Sequence, residues 1–169
     1  DADQTPRVTP AIGRLSKTSA GRHRRRNNRC SLRTPLTSLD HFRTNRLTAE
    51  KLRDDDLADL VTLHLDPDVS RYLGGVRSAE ATKTYLAVNM AHWDRHGFGL
   101  WVLRNKDGAF AGRAGIRHIL VDDLEEIEVA YTFRRDVWGR GLASEIATAL
   151  TDIGLSQLAL PSLIGLVFV

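Results

Sequence analysis

The chain has 169 residues, of which 42% are hydrophobic and 27% charged, a balance typical of a globular domain with its own core. No apolar run approaches the roughly 18 residues that a membrane-spanning helix needs. A single cysteine, Cys30, excludes an internal disulfide. We therefore expect a protein of a reducing compartment, the cytoplasm, without a membrane partner.

Positive charge is concentrated near the N-terminus. Residues 1–43 contain ten Lys and Arg against three acids, whereas residues 44–169 contain fourteen against eighteen. The first segment is poor in large apolar side chains, which predicts a disordered basic arm over 1–43 and a folded domain over 44–169. The run RHRRR suits nucleic acid, but no aromatic residues are interleaved for base stacking, so a solvated tail is the favoured interpretation.

The folded domain is predicted to begin with a strand in TNRLTAEKL, followed by two helices. Asp54 precedes apolar residues at helical spacing and is expected to be an N-cap. After the loop DPDVSRYLGG, Ser78 is expected to cap a second helix that ends at Gly97. Two apolar lines run along this helix, one of Ala81, Tyr85 and Val88 and the other of Leu86 and Trp93.

The periodicity then becomes that of strands. FGLWVLR and AFAGRAGIRHI flank the turn NKDG, and VDDLE leads into EIEVAYTF, where apolar residues alternate with others. These segments predict three antiparallel strands in a meander. In the third strand, the alternation predicts a core face of Ile127, Val129, Tyr131 and Phe133 and an outward face that includes Glu126 and Glu128.

A last helix and strand complete the pattern. Apolar residues recur at helical spacing from Leu142 to Ile153, and LPSLIGLVFV is typical of a buried strand preceded by a proline. The resulting order, β-α-α-β-β-β-α-β, predicts an α/β fold with a mixed, mostly antiparallel sheet flanked by helices.

The turn DVWGRGLASE joins the meander to the last helix. A helix start presents unpaired N–H groups and a partial positive charge, which together suit a phosphate. Gly139 and Gly141 have no Cβ, Ala143 is small and Arg140 adds a full charge. The P-loop pattern is absent, and a dinucleotide site would need a third glycine where Ser144 stands and a parallel strand pair. A simple tight reversal of the chain remains the alternative.

Several motifs, in order and at similar spacing, resemble the GNAT N-acetyltransferase superfamily. They are TNRL, DPDVSRYLGG, HWDRHGFGLWVLR, GRAGIR, EVAYTF and WGRGLASEIA. The resemblance covers about residues 44–169 and is strongest to the RimJ/RimL-like branch, named for ribosomal-protein alanine N-acetyltransferases.

The resemblance implies acetyl transfer from acetyl-CoA to a primary amine, by direct attack in a ternary complex. The acceptor is then a protein N-terminus or a small amine; the mildly acidic domain suits a cationic one. Backbone N–H groups of residues 139–144 would hold the coenzyme pyrophosphate, and the backbone of Phe133 and Arg134 would pair with the pantetheine arm. The last strand would diverge to admit it. The implied coenzyme-binding residues are Phe133, Arg134, Trp138, Gly139, Arg140, Gly141, Leu142, Ala143 and Ser144.

The same resemblance suggests a catalytic residue and an acceptor side. Glu128 matches the glutamate of the branch's ELGY motif and would take the amine proton, directly or through water. A solvated strand face is the alternative interpretation. His92, Trp93, Phe98 and Trp101 would line the acceptor side, although core positions suit the tryptophans as well. The six histidines and many acids show no metal-ligand spacing, so we expect no metal.

The resembling family continues past LIGLVFV with another helix, two strands and a tyrosine that protonates the leaving thiolate. We therefore expect a C-terminally truncated domain whose LIGLVFV strand is an exposed apolar edge. A non-catalytic acyl-CoA-binding module on the same fold is the alternative function. Under either function, we expect a monomer or a homodimer that does not bind nucleic acid.

Overall fold

The structure is a computed structural model, and it describes residues 10–16 and 39–168. Seven strands form its sheet: β1 (Pro10–Ser16), β2 (His41–Arg43), β3 (Leu47–Lys51), β4 (Leu100–Asn105), β5 (Phe110–Val121), β6 (Leu124–Phe133) and β7 (Ser162–Phe168). The helices are α1 (Leu57–Leu65), α2 (Pro67–Ser70), α3 (Ala79–His96) and α4 (Leu142–Asp152), which continues as a π-helical turn over Ile153–Gln157. Among the described residues, no helix is both long and apolar enough to span a bilayer.

The sheet is mixed and mostly antiparallel, which confirms the predicted fold class. The strands lie in the order β1-β7-β6-β5-β4-β3-β2. The predicted meander is β4-β5-β6, with register from Leu100↔Gly115 through Val121↔Leu124. The exception to antiparallel pairing is β6 with β7, which are parallel and pair at a single position, Glu128↔Ile164. Beyond that position the two strands separate, as the resemblance implied.

Both faces of the sheet are covered by helices. Consecutive residues of β4 point to opposite sides, and each side packs in a different apolar cluster. Trp101 and Leu103 pack with Ile146 and Leu150 of α4. Leu100 and Val102 lie in a second apolar cluster with residues of α1 and α3. This layering overturns the predicted outward face of β6. Glu128, Ala130 and Thr132 are buried, with Glu128 only 6% exposed, whereas Tyr131 on the predicted core face is 45% exposed.

The first helical region differs from its prediction in two places. Asp54 is not an N-cap: it begins a 3₁₀ turn over Asp54–Asp56, in which the Asp56 carboxylate accepts from the Arg53 N–H at 2.9 Å. The DPDVS segment is not a loop but the short helix α2, because Asp66 caps the N–H groups of Asp68 and Val69.

In α3, the predicted caps Ser78 and Gly97 are confirmed. Of its two predicted apolar lines, only that of Leu86 and Trp93 is fully buried, whereas Val88 is 63% exposed.

The N-terminal segment contributes to the sheet. β1 pairs with β7 along its whole length, from Pro10↔Phe168 to Ser16↔Ser162, and Arg14 forms an ion pair with Glu126. The predicted disorder is therefore wrong for residues 10–16 and 39–43; residues 1–9 and 17–38 lie outside the described part. The predicted exposed edge at β7 is also wrong. The backbone N–H and C=O groups at the free edge of β7 can pair with another strand even when that strand, like β1, has few large apolar side chains.

Candidate active site

The glycine turn opens directly onto the start of α4. Gly139 and Gly141 have φ angles of +72° and +73°, in the left-handed region that favours glycine. Gly141 is the N-cap and provides no side-chain acceptor. The first helical N–H that bonds back is that of Glu145, to the Gly141 carbonyl at 3.2 Å. The N–H groups of the three residues between them are thus left for an acceptor from outside the helix.

A clamp from the opposite edge of the sheet holds this turn. Glu145 accepts from the Thr44 hydroxyl at 2.5 Å, from the Arg46 N–H at 2.8 Å and from Arg46 Nε at 2.6 Å. Arg46 Nη1 also donates to the Arg140 carbonyl at 2.6 Å. Burial raises the pKa of Glu145, but the hydrogen bonds from Thr44 and Arg46 outweigh it and lower the pKa below its usual range. Glu145 therefore ties the start of α4 to the loop between β2 and β3.

The end of β6 is tied to the same turn. Trp138 Nε1 donates to the Phe133 carbonyl at 2.9 Å, and the Arg134 N–H bonds to the Ala111 carbonyl at 2.9 Å. The Arg140 side chain bends back to the Asp136 carbonyl at 2.9 Å. The Phe133 carbonyl and the Arg134 N–H, both predicted to meet a pantetheine arm, thus have partners within the chain. The Phe133 carbonyl can still accept a second hydrogen bond, because a carbonyl oxygen has two lone pairs.

A cavity of about 660 Å³ lies where β6 and β7 separate. We call its two sides the turn wall, formed by residues 137–143, and the arginine wall, formed by Val69, Tyr72, Leu73, Arg77 and Arg113. Residues 128–133 of β6 and Gly165 and Leu166 of β7 lie between them. Of the predicted coenzyme-binding residues, all but Arg134 and Ser144 line this cavity.

Glu128 lines the cavity at the one position where β6 and β7 pair. Arg117 of β5 is its direct cross-strand neighbour, and Arg117 Nε donates to Glu128 Oε2 at 2.8 Å. Burial would lower the pKa of Arg117, but the Glu128 carboxylate and Tyr85 raise it above its usual range. The predicted catalytic carboxylate is therefore buried, ion-paired and fixed in position.

The predicted acceptor residues lie elsewhere. Trp93 and Trp101 are core side chains whose indole N–H groups bond to the carbonyls of Leu100 and Leu39. Phe98 packs in the same cluster. None of these three, nor His92, is among the cavity-lining residues. Their assignment to the acceptor side stays a prediction.

Three histidines come together behind the meander, a cluster that the sequence did not predict. Ligand atoms of His92, His96 and His118 lie within 4.8 Å of one another. The i, i+4 spacing of the first two was the available signal. Both nitrogens of His92 have partners, however: Nδ1 the Phe98 carbonyl at 2.9 Å, and Nε2 the His118 N–H at 3.0 Å. His92 thus bridges two backbone groups, the Phe98 carbonyl before β4 and the His118 N–H of β5. Burial lowers the pKa of His92 below the usual range.

The arginine wall was not predicted either. Arg77 precedes α3 and Arg113 lies on β5, so no contiguous motif contains both. The available signal was the spacing of Arg113 and Arg117, which places two cations on one face of a strand that is otherwise small and apolar.

A mixed sheet whose two parallel strands diverge beside a glycine-rich helix start is the architecture of a GNAT acetyltransferase. The family described as "Acetyltransferase (GNAT) domain" matches residues 46–168. The chain belongs to this acetyltransferase family.

Known proteins agree with this assignment. YkkB of Bacillus subtilis (strain 168), itself uncharacterised, is 32% identical over 116 residues, covering 68% of this chain and 67% of its own. An acetyltransferase from Agrobacterium tumefaciens C58 superposes with a TM-score of 0.65 at 28% identity, over 82% of this chain and 76% of its own. RimL, a ribosomal L7/L12 α-N-protein acetyltransferase, shares the fold with a TM-score of 0.57 at 15% identity, over 69% and 65% of the two chains.

Proposed function

We propose that the protein transfers the acetyl group of acetyl-CoA to a primary amine, either a protein N-terminus or a small amine. The observation that carries the proposal is one cavity bounded by the unpaired N–H groups of the glycine turn, the gap between β6 and β7, and the buried Glu128. The turn would hold the coenzyme pyrophosphate by backbone N–H groups and helix dipole, and the gap would admit the pantetheine arm.

In the proposed reaction, the neutral amine attacks the thioester carbonyl carbon directly. An N–C bond forms, the C–S bond breaks, and the amine proton is lost while coenzyme A leaves as the thiolate. Glu128 would accept that proton through a water molecule. Arg117 holds Oε2 of Glu128 and so keeps the carboxylate in place. Burial of Glu128 beside the gap favours this role over that of a solvated strand residue.

Coenzyme binding and catalysis are tested in one experiment on the full chain. Acetyl-CoA at millimolar concentration should raise the melting temperature by mass action, and thiol release should follow on addition of a panel of primary amines. No thermal shift would contradict the proposal. A shift without thiol release on any amine would support a non-catalytic acyl-CoA-binding module instead.

The matched controls are two glycine variants. Gly141→Val should abolish the thermal shift, because a β-branched residue strains the positive φ of the turn and its side chain would meet Arg46 Nη2, which helps to hold the turn. Gly108→Val carries the same strain at a φ of +80°, but lies in the β4–β5 hairpin and should keep the shift. Equal loss in both variants would mean that destabilisation, not the turn, causes the effect.

A further inference from the structure

Arg113 is a buried cation with unsatisfied donors. The residue is only 3% exposed, and its Nε and Nη1 atoms have no hydrogen-bond partner. Burial lowers the pKa of Arg113, but a guanidinium stays protonated in proteins. A charge in this state is costly unless something pairs with it, and most buried polar groups in native proteins do have partners.

A second guanidinium lies on the same aromatic ring. Arg113 Cζ is 5.1 Å from the centroid of the Tyr85 ring, and Arg77 Cζ is 4.9 Å from it. Arg77 Nη1 and the Tyr85 hydroxyl also lack partners. Cation–π contacts stabilise the two charges but leave these N–H groups unsatisfied. Free donors of two arginines and a tyrosine thus gather in one small region.

No protein carboxylate neutralises this pair within the described residues. Glu128 is taken by Arg117, and no Asp or Glu oxygen lies within 4.0 Å of Arg77 or Arg113 in residues 10–16 and 39–168. Outside those ranges the sequence has two acidic side chains, Asp1 and Asp3, and the stretch 17–38 has none. A ligand is therefore the natural source of the missing anion.

Both arginines line the cavity that contains Glu128. We propose that Arg77 and Arg113 form a carboxylate-binding subsite, filled by a carboxylate of the amine acceptor or of the transferred acyl group. The proposal rests on the proposed acyl transfer and narrows its substrates. A planar carboxylate matches the guanidinium fork. A bare polyamine would instead bring positive charge against a cationic wall, so the acceptor class favoured here is an amino acid or a similar zwitterion.

The first arm of the test places the carboxylate on the acceptor. Alanine, β-alanine and γ-aminobutyrate are each compared with their amides in acetyl transfer by the full chain, with kcat/KM as the readout. At least one acid should be preferred over its amide by at least about 10-fold, the effect of losing a charge-assisted hydrogen bond. The second arm compares succinyl-CoA with acetyl-CoA on a neutral amine, where a preference of the same size places the carboxylate on the acyl group.

Variants assign the preference to the arginines. Arg113→Met and Arg77→Met should bring the acid-to-amide ratio close to 1, or the succinyl-to-acetyl ratio where that arm showed the preference. Arg113→Lys should restore part of it. Arg95→Met, which removes an exposed cation from α3, should leave the wild-type ratio unchanged.

Two outcomes overturn the subsite. One is acetyl transfer without preference for a carboxylate in either arm. The other is an equal rise in KM for acetyl-CoA with every acceptor in the arginine variants, which would place the coenzyme phosphates on these side chains. Failure of the acyl transfer itself is distinguishable, because it would appear as no thermal shift and no thiol release in the wild-type protein.

Discussion

The two walls of the cavity are built on different principles. The turn wall is one continuous stretch, residues 137–143, and offers backbone N–H groups beside glycines with positive φ. The arginine wall combines side chains from the α2–α3 region and from β5; of its two charges, that of Arg113 is buried and that of Arg77 is half-buried. Under the proposed function, the backbone site would hold the coenzyme, which does not vary, whereas the side-chain site would discriminate between acceptors, or acyl groups, with and without a carboxylate. Substitutions in and between the two walls test this division.

The largest effect is expected at Glu128, which lies between the walls. Glu128→Gln should lower kcat about 100-fold or more, as for the loss of a general base, and should keep the acetyl-CoA thermal shift. Glu126→Gln is the matched control, since this residue lies on the same strand and pairs with Arg14 instead. A full rate in Glu128→Gln would remove the carboxylate from the mechanism.

Burial of His64, next to the arginine wall, should make stability depend on pH. This residue is buried, its ring lies 5.0 Å from that of Tyr85, and its Nδ1 lies 3.1 Å from the Thr82 hydroxyl. Burial, followed by the charges of Arg113 and Arg77, lowers the pKa of His64 to about 4. The unfolded chain takes up this proton first as the pH falls, so stability is full above about 6.5 and falls by up to about 3 kcal/mol towards pH 4.

Urea unfolding between pH 7.5 and 4 measures this effect. His64→Gln should flatten the pH dependence, whereas His41→Gln, at an exposed histidine, should leave it as in the wild type. The same slope in His64→Gln as in the wild type would show that the buried imidazole does not carry the effect.

A moderate effect is expected at the turn wall. Gly141→Ala adds a single methyl group, so the KM for acetyl-CoA should rise about 10-fold, because backbone strain at positive φ would displace the N–H groups proposed to hold the phosphates. The acid-to-amide ratio should not change, because the turn is proposed to hold the coenzyme alone. A change in acceptor preference would contradict the division between the walls.

The smallest effect is expected on the stability of the unliganded protein. Arg113→Met should raise the free energy of unfolding by about 1 kcal/mol, because it removes an unpaired buried charge and keeps the volume. Urea unfolding at pH 7.5 measures it. A clear loss of stability would mean that Arg113 has a structural partner, and would weaken the case for a ligand.

Local signals in the sequence were sufficient for much of the fold. The Asp107-Gly108 hairpin, the caps of α3 and the helix after the glycine turn depend on neighbouring residues, and the structure confirms each of them. Local signals failed at the first helices, where Asp54 is not an N-cap and DPDVS forms a helix rather than a loop. The remaining errors lie where distant segments meet. Glu128, Ala130 and Thr132, on the predicted outward face of β6, are buried, and β7 is not an edge because β1 pairs with it.

The same distinction holds for the site. The turn wall is contiguous, so its glycines and helix start are evident from the sequence alone. Arg77 and Arg113 are 36 positions apart, and only the packing of α3 on β5 brings both to Tyr85. The sequence by itself determined the family, the meander and the glycine turn at the start of α4, because these depend on local periodicity and backbone freedom. The tertiary structure decided that Arg113 is buried beside Arg77 with donors of both side chains unsatisfied, because burial and pairing depend on contacts between distant segments.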